Sequence, residues 1–254
     1  MTSYFESKND NGKVIINDKT RMLSLLRYGT VLSLATYLDG GPFRWYGNRP
    51  KDDRRVGLAA IYGLTLNDNE KLVAFSVQDD QNIAVCTSQI STALVDIIFF
   101  RTEESSESID SIAGKIKLYI FGEDYSTDNR CGVQIFNSSG HLVFKNSDYM
   151  MNVKGCWDSS IDMFRKDCDS LPASYVIEKN AENIAVVCNS YAGGWVDFHN
   201  TIPPYCGVYA VNRIGNSLYA KLMVMFWFAG CNEYYNGFNG QFSILLIDIT
   251  NAPI

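Results

Sequence analysis

The sequence predicts an all-β protein built as two tandem β-sandwich-like domains, residues 1–127 and 128–254. Three observations carry that expectation. The chain holds 15 Tyr, 14 Phe and 4 Trp against only 6 Pro, and aromatic rings pair well across strands. Short apolar runs alternate with Gly, Asn, Asp and Ser clusters and show no sustained 3.6-residue period, which favours a sandwich or barrel. Two hairpin-like segments also stand half a chain apart.

The first, "FESKNDNGKVIINDKTRML" (residues 5–23), matches the second, "VQIFNSSGHLVFKNSDYMM" (residues 133–151). With Gly12 set on Gly140, Asn9 meets Asn137, Val14 meets Leu142, Ile15 meets Val143, Ile16 meets Phe144 and Met22 meets Met150. In each, an extended run enters a polar turn ending in Gly and returns as a β-branched or aromatic run, a hairpin signal. Weaker matches follow in the same order: "GPFRWYG" with "IDMFRKD", "VGLAAIYGL" with "NIAVVCNSY", "VDIIFFR" with "MVMFWFA", and "GKIKLYIFGED" with "GQFSILLIDIT". Ordered matches at a nearly constant offset are what an internal duplication predicts.

Taken in order, strands are expected in the first half at residues 4–8, 13–17, 56–62, 71–77, 83–87, 93–100 and 115–121. The second half repeats them at 133–136, 141–145, 184–189, 207–212, 217–228 and 241–249. "KDDRRVG" and the acidic, Ser-rich "RTEESSESIDS" are polar connections, and "EDYSTDNRCG" (residues 123–132) is the joint between halves.

Composition bounds the function. Hydrophobic residues at 46% and charged residues at 20% describe an ordinary globular chain. A net charge of −6 gives no electrostatic footprint for a phosphate backbone, so nucleic acid is not an expected partner. The N-terminus carries no signal pattern, and the longest apolar stretch, residues 218–230, is too short for a bilayer span and contains Lys221; a soluble protein synthesised in a cytoplasm is expected. Seven Cys without a C-x-x-C read as thiols in a reducing compartment. A zinc site would need clustered ligands, and only His141 and His199 are available.

No catalytic constellation stands out, so a non-enzyme without a metal or cofactor is expected. His199 has Asp197 two residues away, yet no nucleophile elbow or activated Cys accompanies them. The acid pairs Asp52-Asp53, Asp79-Asp80 and Glu103-Glu104 sit in polar loops, where adjacent carboxylates point apart rather than flank a glycosidic bond. Asn137 opens an N-x-S acceptor that turn chemistry explains better. A more suggestive patch is aromatic: Trp195, Phe198, Tyr205, Tyr234, Tyr235 and Phe238 lie among Gly, Asn and Pro. Rigid rings beside adaptable polar groups suit protein or sugar recognition, the alternative being that they plug the ends of the sandwich.

The segment "GVQIFNSSGHLVFKNSDYMMNVKG" (residues 132–155) resembles a module of small, largely uncharacterised tail proteins of tailed bacteriophages. Gly132, Gln134, Phe136, Gly140 and Phe144 fit its opening phrase, and Leu246, Ile247, Asp248, Ile249 and Thr250 fit its C-terminal Asp-aliphatic-Thr ending. The first half departs from the pattern, with Glu6 in place of the Gln and no such ending. The resemblance implies a structural component of a virion, in the tail or tail tip, serving assembly, fibre attachment or host adsorption. It implies partners among the other tail proteins and a host surface receptor, and carries over no catalytic or ligand-binding residue. Duplicated domains further suggest a homo-oligomer, a trimer offering six similar surfaces. The alternative is a receptor- or carbohydrate-binding module that uses the aromatic loops, and a third reading is a glycan-degrading enzyme.

Overall fold

The computed structural model describes residues 6–8, 14–17, 22–38, 57–78, 80–102, 107–124, 133–137, 139–145, 149–160, 174–188, 193–196, 205–226 and 241–252. In the first half these form β1 (Glu6–Lys8), β2 (Val14–Asn17), β3 (Ser24–Thr30), α1 (Val31–Leu34), β4 (Thr36–Tyr37), β5 (Gly57–Thr65), β6 (Glu70–Val77), β7 (Asp80–Ser91), β8 (Leu94–Thr102), α2 (Ile109–Lys115) and β9 (Ile116–Gly122). The second half forms β10 (Gln134–Phe136), β11 (Leu142–Lys145), β12 (Asn152–Ser160), β13 (Ser174–Glu178), β14 (Ile184–Cys188), β15 (Gly193–Val196), β16 (Tyr205–Ile214), β17 (Ser217–Phe226) and β18 (Gln241–Asp248). The protein is all-β, as expected.

Alternation along the strands sorts the side chains into layers. Val73, Phe75 and Val77 of β6 meet Ile83 and Val85 of β7, Ile97 and Phe99 of β8, and Ile184, Val186, Leu218 and Ile244 in one core between two facing sheets. The neighbours in sequence point outward and are buried as well. Ala84, Cys86, Ile98, Phe100 and Ala210 form an apolar cluster on the outer face of one sheet. Ala74, Tyr119, Phe121, Ala185, Val187 and Ile247 do the same on the other, covered by Leu23, Leu25, Tyr149 and Met151. Strands buried on both faces explain the continuous apolar runs "KLVAFSV" and "IAVVC".

Both sheets run through both halves. One has the order β12-β18-β14-β6-β9-β3, the other β13-β17-β16-β7-β8-β5-β4, with β15 also paired to β16. Each half thus supplies three strands to the first sheet, and the halves meet where β14 pairs with β6 and β16 pairs with β7, both antiparallel. The expected boundary at residue 127 lies outside the described residues.

The strand order reads alike from either half: β3-β9-β6 mirrors β12-β18-β14, and β5-β8-β7 mirrors β13-β17-β16. Registers repeat too. Glu6↔Asn17, Ser7↔Ile16 and Lys8↔Val14 in the first hairpin correspond to Gln134↔Lys145, Ile135↔Phe144 and Phe136↔Leu142 in the second, each 128 residues on (6 to 134), with the bulge at the same step. The bulge of β3 between Leu25 and Arg27 recurs in β12 between Val153 and Gly155. The second hairpin turns as its sequence predicts: Asn137 Oδ1 accepts the Ser139 and His141 N–H groups, and Gly140 takes φ +80°, a conformation glycine adopts without steric cost.

Two of the sequence matches are displaced. The counterpart of β14 is β6, so "NIAVVCNSY" answers "KLVAFSV" rather than "VGLAAIYGL". The counterpart of β8 is β17, but their turns set Leu94 against Ser217, 123 residues on (94 to 217), so "VDIIFFR" answers "LYAKLMV" rather than "MVMFWFA". The pairing of "GKIKLYIFGED" with "GQFSILLIDIT" agrees with the ladders, since Phe121 and Ile247 hold equivalent rungs. "GPFRWYG" and "IDMFRKD" lie outside the described residues. The acidic Ser-rich connection ends in α2, where Ser108 caps the helix by accepting the Ser111 N–H at 3.2 Å, and Ile112 and Ala113 enter the core.

Gly122 closes β9 where β3 and β6 flank it. A Cβ there would collide with the carbonyl oxygen of Asn69 and lie 2.7 Å from Leu26 Cδ1. A backbone oxygen cannot swing aside as a flexible side chain can. Gly122→Ala is expected to lower stability by about 1–3 kcal/mol, read as a reduced urea midpoint at an unchanged slope.

Candidate functional site

The expected aromatic patch is placed only in part. Trp195 lies on β15 opposite Cys206, and Tyr205 lies on β16 between Val196 and Phe226, so their backbones occupy adjacent rungs of one sheet. Phe198, Tyr234, Tyr235 and Phe238 lie outside the described residues, as do His199, Asp197, Asp52, Asp53, Asp79, Glu103 and Glu104. His141 is exposed beside the β10–β11 turn. Among the described residues no three His, Cys, Asp or Glu gather as a metal ion would require, and no helix is long and apolar enough to cross a membrane. Cys86 and Cys188 are buried free thiols and Cys156 an exposed one.

Charged groups form three devices. Arg27 on β3 reaches past β9 to Glu70 on β6, donating from Nε to Oε1 at 2.6 Å and from Nη2 to Oε2 at 2.9 Å. Nη2 also donates to the Thr65 carbonyl at 2.8 Å, and the Asn67 N–H reaches Glu70 Oε2 at 2.8 Å. Burial pushes the Glu70 carboxyl up, but the Arg27 hydrogen bonds and charge, together with the Asn67 N–H, outweigh it and hold the group below its ordinary value.

A second device lies at the end of β7. Lys115 Nζ sits 3.2 Å from Asp80 Oδ2 and 2.5 Å from Glu107 Oε1, so two carboxylates share one ammonium. The Glu107 hydrogen bond, aided by Asp80 and working against burial, raises the Lys115 pKa. Arg101 Nη1 donates to the Glu107 carbonyl. Of the acid pairs noted in the sequence, Asp80 is therefore ion-paired to Lys115.

The third device explains the Asp-aliphatic-Thr ending. Asp248 Oδ1 accepts the Thr250 N–H at 2.9 Å and the Thr250 hydroxyl at 2.6 Å, which holds the carboxyl below its ordinary value. Tyr149 Oη donates to the Asp248 carbonyl at 2.7 Å, and Asn152 pairs with Asp248 at the start of the β12–β18 ladder. The segment that follows the hairpin phrase thus meets the ending about a hundred residues further along the chain. The partnerships of Arg27 with Glu70, Asp80 with Lys115 and Tyr149 with Asp248 join residues 35 to 99 positions apart, which sequence reading does not pair.

Large apolar side chains remain exposed on three consecutive elements: Tyr28 on β3, Leu32 on α1, Tyr37 on β4 and Leu38 just after it. Tyr37 packs edge-on to Tyr62 at 5.3 Å, and Tyr62 stacks on Phe99 at 5.7 Å, so this corner is anchored to the core. Comparison with protein-family models, with curated proteins and with solved structures finds no match. The fold and the described side chains define an all-β sandwich protein whose polar groups chiefly lock strand ends.

Arg27→Ala strands the Glu70 carboxylate, which is only 3% exposed, and is expected to cost about 3 kcal/mol at pH 7. That is the low end for a broken buried pair, because Arg27 itself is 31% exposed. Since the folded pKa of Glu70 is depressed, the pair's contribution is complete above the unfolded carboxylate value, about 4.3, and fades as pH falls through the lower folded value. The cost of Arg27→Ala should accordingly shrink in urea titrations at pH 3; an equal cost at both pH values would refute the assignment.

Asp248→Ala removes both Thr250 hydrogen bonds and should lower stability by about 1–2 kcal/mol. Thr250→Val removes one and should cost about half as much in the same urea assay.

Proposed function

We propose that this chain is a structural component of a tailed-phage virion, placed in the tail or tail tip and serving assembly, fibre attachment or host adsorption. The observation that carries the reading is the contact between the two motifs of the resemblance. The hairpin module runs into Tyr149 and Asn152, which bind Asp248 of the ending, and this contact supports reading the two phrases as parts of one module. Support also comes from its recurrence: β1–β2, β3 and β9 repeat the register and bulges of β10–β11, β12 and β18. An ancestral gene duplication accounts for that repetition, and assembly into a homo-oligomer, a trimer for preference, would present six related modules to a tail built on three-fold and six-fold symmetry. Other tail proteins are the partners this reading requires, and the virion is its location.

A second reading, a receptor- or carbohydrate-binding module on a bacterial surface, draws on the adjacent backbone positions of Trp195 and Tyr205 on β15 and β16. It makes no use of the three charge devices.

Immunogold microscopy and mass spectrometry of purified phage particles test the first reading. Label at the tail with the intact polypeptide present is expected; particles lacking the polypeptide would overturn it. For the second, Trp195→Ala and Tyr235→Ala should weaken binding to host cells or envelope glycan at least tenfold with the urea midpoint preserved, and unchanged binding would count against it.

A further inference from the structure

The junction between the two halves is built differently from the rest of the molecule. Within the halves, ladders are long: β5 pairs with β8 over nine rungs and β16 with β17 over ten. Across the junction, β6 meets β14 at one rung, Phe75↔Val186. β7 meets β16 at three, Val85↔Val211, Ala84↔Asn212 and Asp80↔Arg213, the last displaced by a bulge.

Buried polar side chains take the place of the missing rungs. The described residues include four buried polar or charged ones, Ser24, Glu70, Thr87 and Asn212. Three of these bond across the junction. Thr87 Oγ1, on β7, donates to the Cys188 carbonyl of β14 at 3.0 Å and so also ties one sheet to the other. Asn212 Nδ2, on β16, donates to the carbonyls of Asp80 and Ile83 on β7. Ser24 Oγ lies 3.4 Å from Met150 Sδ, where the two chain segments leading into β3 and β12 cross and exchange the bonds Leu25 N–H to Tyr149 O and Met151 N–H to Leu23 O, each 2.8 Å.

Such a joint has two properties. Directional bonds in an otherwise apolar interface fix the docking orientation of the halves, because a shifted docking would leave those groups buried and unsatisfied. Among the described residues few main-chain bonds need break to part the halves, since every long ladder lies inside one half. We infer that the junction is a separable seam: the halves part along β6–β14, β7–β16 and the crossing of residues 23–25 with 149–151 while each keeps its own strands paired, an opening that precedes unfolding of either half. This rests on the fold alone and holds whatever the virion assignment proves to be.

The chain carries its own reporters of the opening. Cys86 lies on β7, packed against Ala84, Phe100 and Ala210, the last from the other half. Cys188 ends β14 and carries the carbonyl that Thr87 binds. Both are buried, on opposite sides of the β7 layer, and each would meet solvent when its strand loses its partner across the seam. Burial pushes the Cys86 thiol well up and Cys188 up to about 12, so neither reacts while the seam is closed. Cys156, exposed on β12, supplies a reference for unhindered reaction.

The experiment is alkylation of the full, reduced chain by a maleimide at increasing sub-denaturing urea. It is read peptide by peptide by mass spectrometry, in parallel with amide hydrogen exchange of β8 and β17. Cys156 should label at once. Cys86 and Cys188 are expected to label together, with a weaker urea dependence than β8 and β17 amide exchange and before those strands lose protection. Thr87→Val should accelerate both thiols about fivefold without altering the β8 and β17 amides in the absence of urea. The inference is overturned if the thiols react only as fast as β8 and β17 exchange, with the same urea dependence, or if Thr87→Val accelerates Cys188 alone. Should Thr87→Val fail to fold, the urea series on the unsubstituted chain decides between the same outcomes.

Discussion

Edge-to-edge pairing of the two halves is the constraint on which the rest of the structure depends. β6 and β14 bury both of their faces: Phe75 and Val186 look into the sandwich, Ala74, Ala185 and Val187 look out of it. β7 and β16 do the same through Val85 and Val211 on one side and Cys86 and Ala210 on the other. A half standing alone would present these apolar strands as open edges, the situation that invites aggregation. Placing the equivalent strands of the two halves against each other covers part of these four edges, at one rung between β6 and β14 and at three between β7 and β16. The antiparallel sense of both junctions follows, since two like units joined through like edges must run oppositely.

The outer edges are handled in the reverse way. β3 is bulged between Leu25 and Arg27, β12 between Val153 and Gly155, and β13 between Val176 and Glu178. β4 has only two residues. Bulges twist an edge out of register with any incoming strand, and a two-residue edge offers little to pair with. Lateral growth of the sheets is therefore discouraged at β3, β12, β13 and β4.

How much of this was legible in the sequence follows from where each strand lies. Hairpin β10–β11 was readable in register because Asn137 and Gly140 mark its turn, and its likeness to residues 5–23 located β1–β2 in the same register. The long, doubly buried strands were readable as continuous apolar runs. β3, "SLLRYGT", and β12, "NVKGCWDSS", were not expected at all: each is an edge strand whose bulge breaks the period-two alternation that pattern reading relies on. The misplaced matches of β5 with β14, and of β8 with a shifted β17, share a cause. A strand apolar on both faces resembles any other such strand at several shifts, so order alone cannot fix its partner or its register. Helices α1 and α2 span four and seven residues, too short for a 3.6-residue period to show. The aromatic residues proposed for binding were chosen by composition, and composition records neither which rings share a surface nor which are buried.

Motif residues and seam residues divide the work of specifying this fold. Asn137 and Asp248 act on main-chain groups two to four residues away, so they set local geometry and leave a signature that survives in the sequence as a short phrase. Thr87 and Asn212 act over separations of 101 and 129 to 132 residues, and nothing in "AVCTSQ" or "YAVNRI" announces them. Each places a hydrogen-bonding group where an apolar side chain would serve the core as well; the Thr87 hydroxyl and the Asn212 Nδ2 find carbonyl acceptors across the seam, whereas Asn212 Oδ1 is buried without a partner among the described residues. Val in place of Thr87 or Leu in place of Asn212 would keep the apolar burial while removing the directional bonds. Orientation of one half upon the other then rests on shape and on the few main-chain rungs between them, and two sets of similar strands, apolar on both faces, fit at several shifts. Buried polarity at the seam adds direction to that choice.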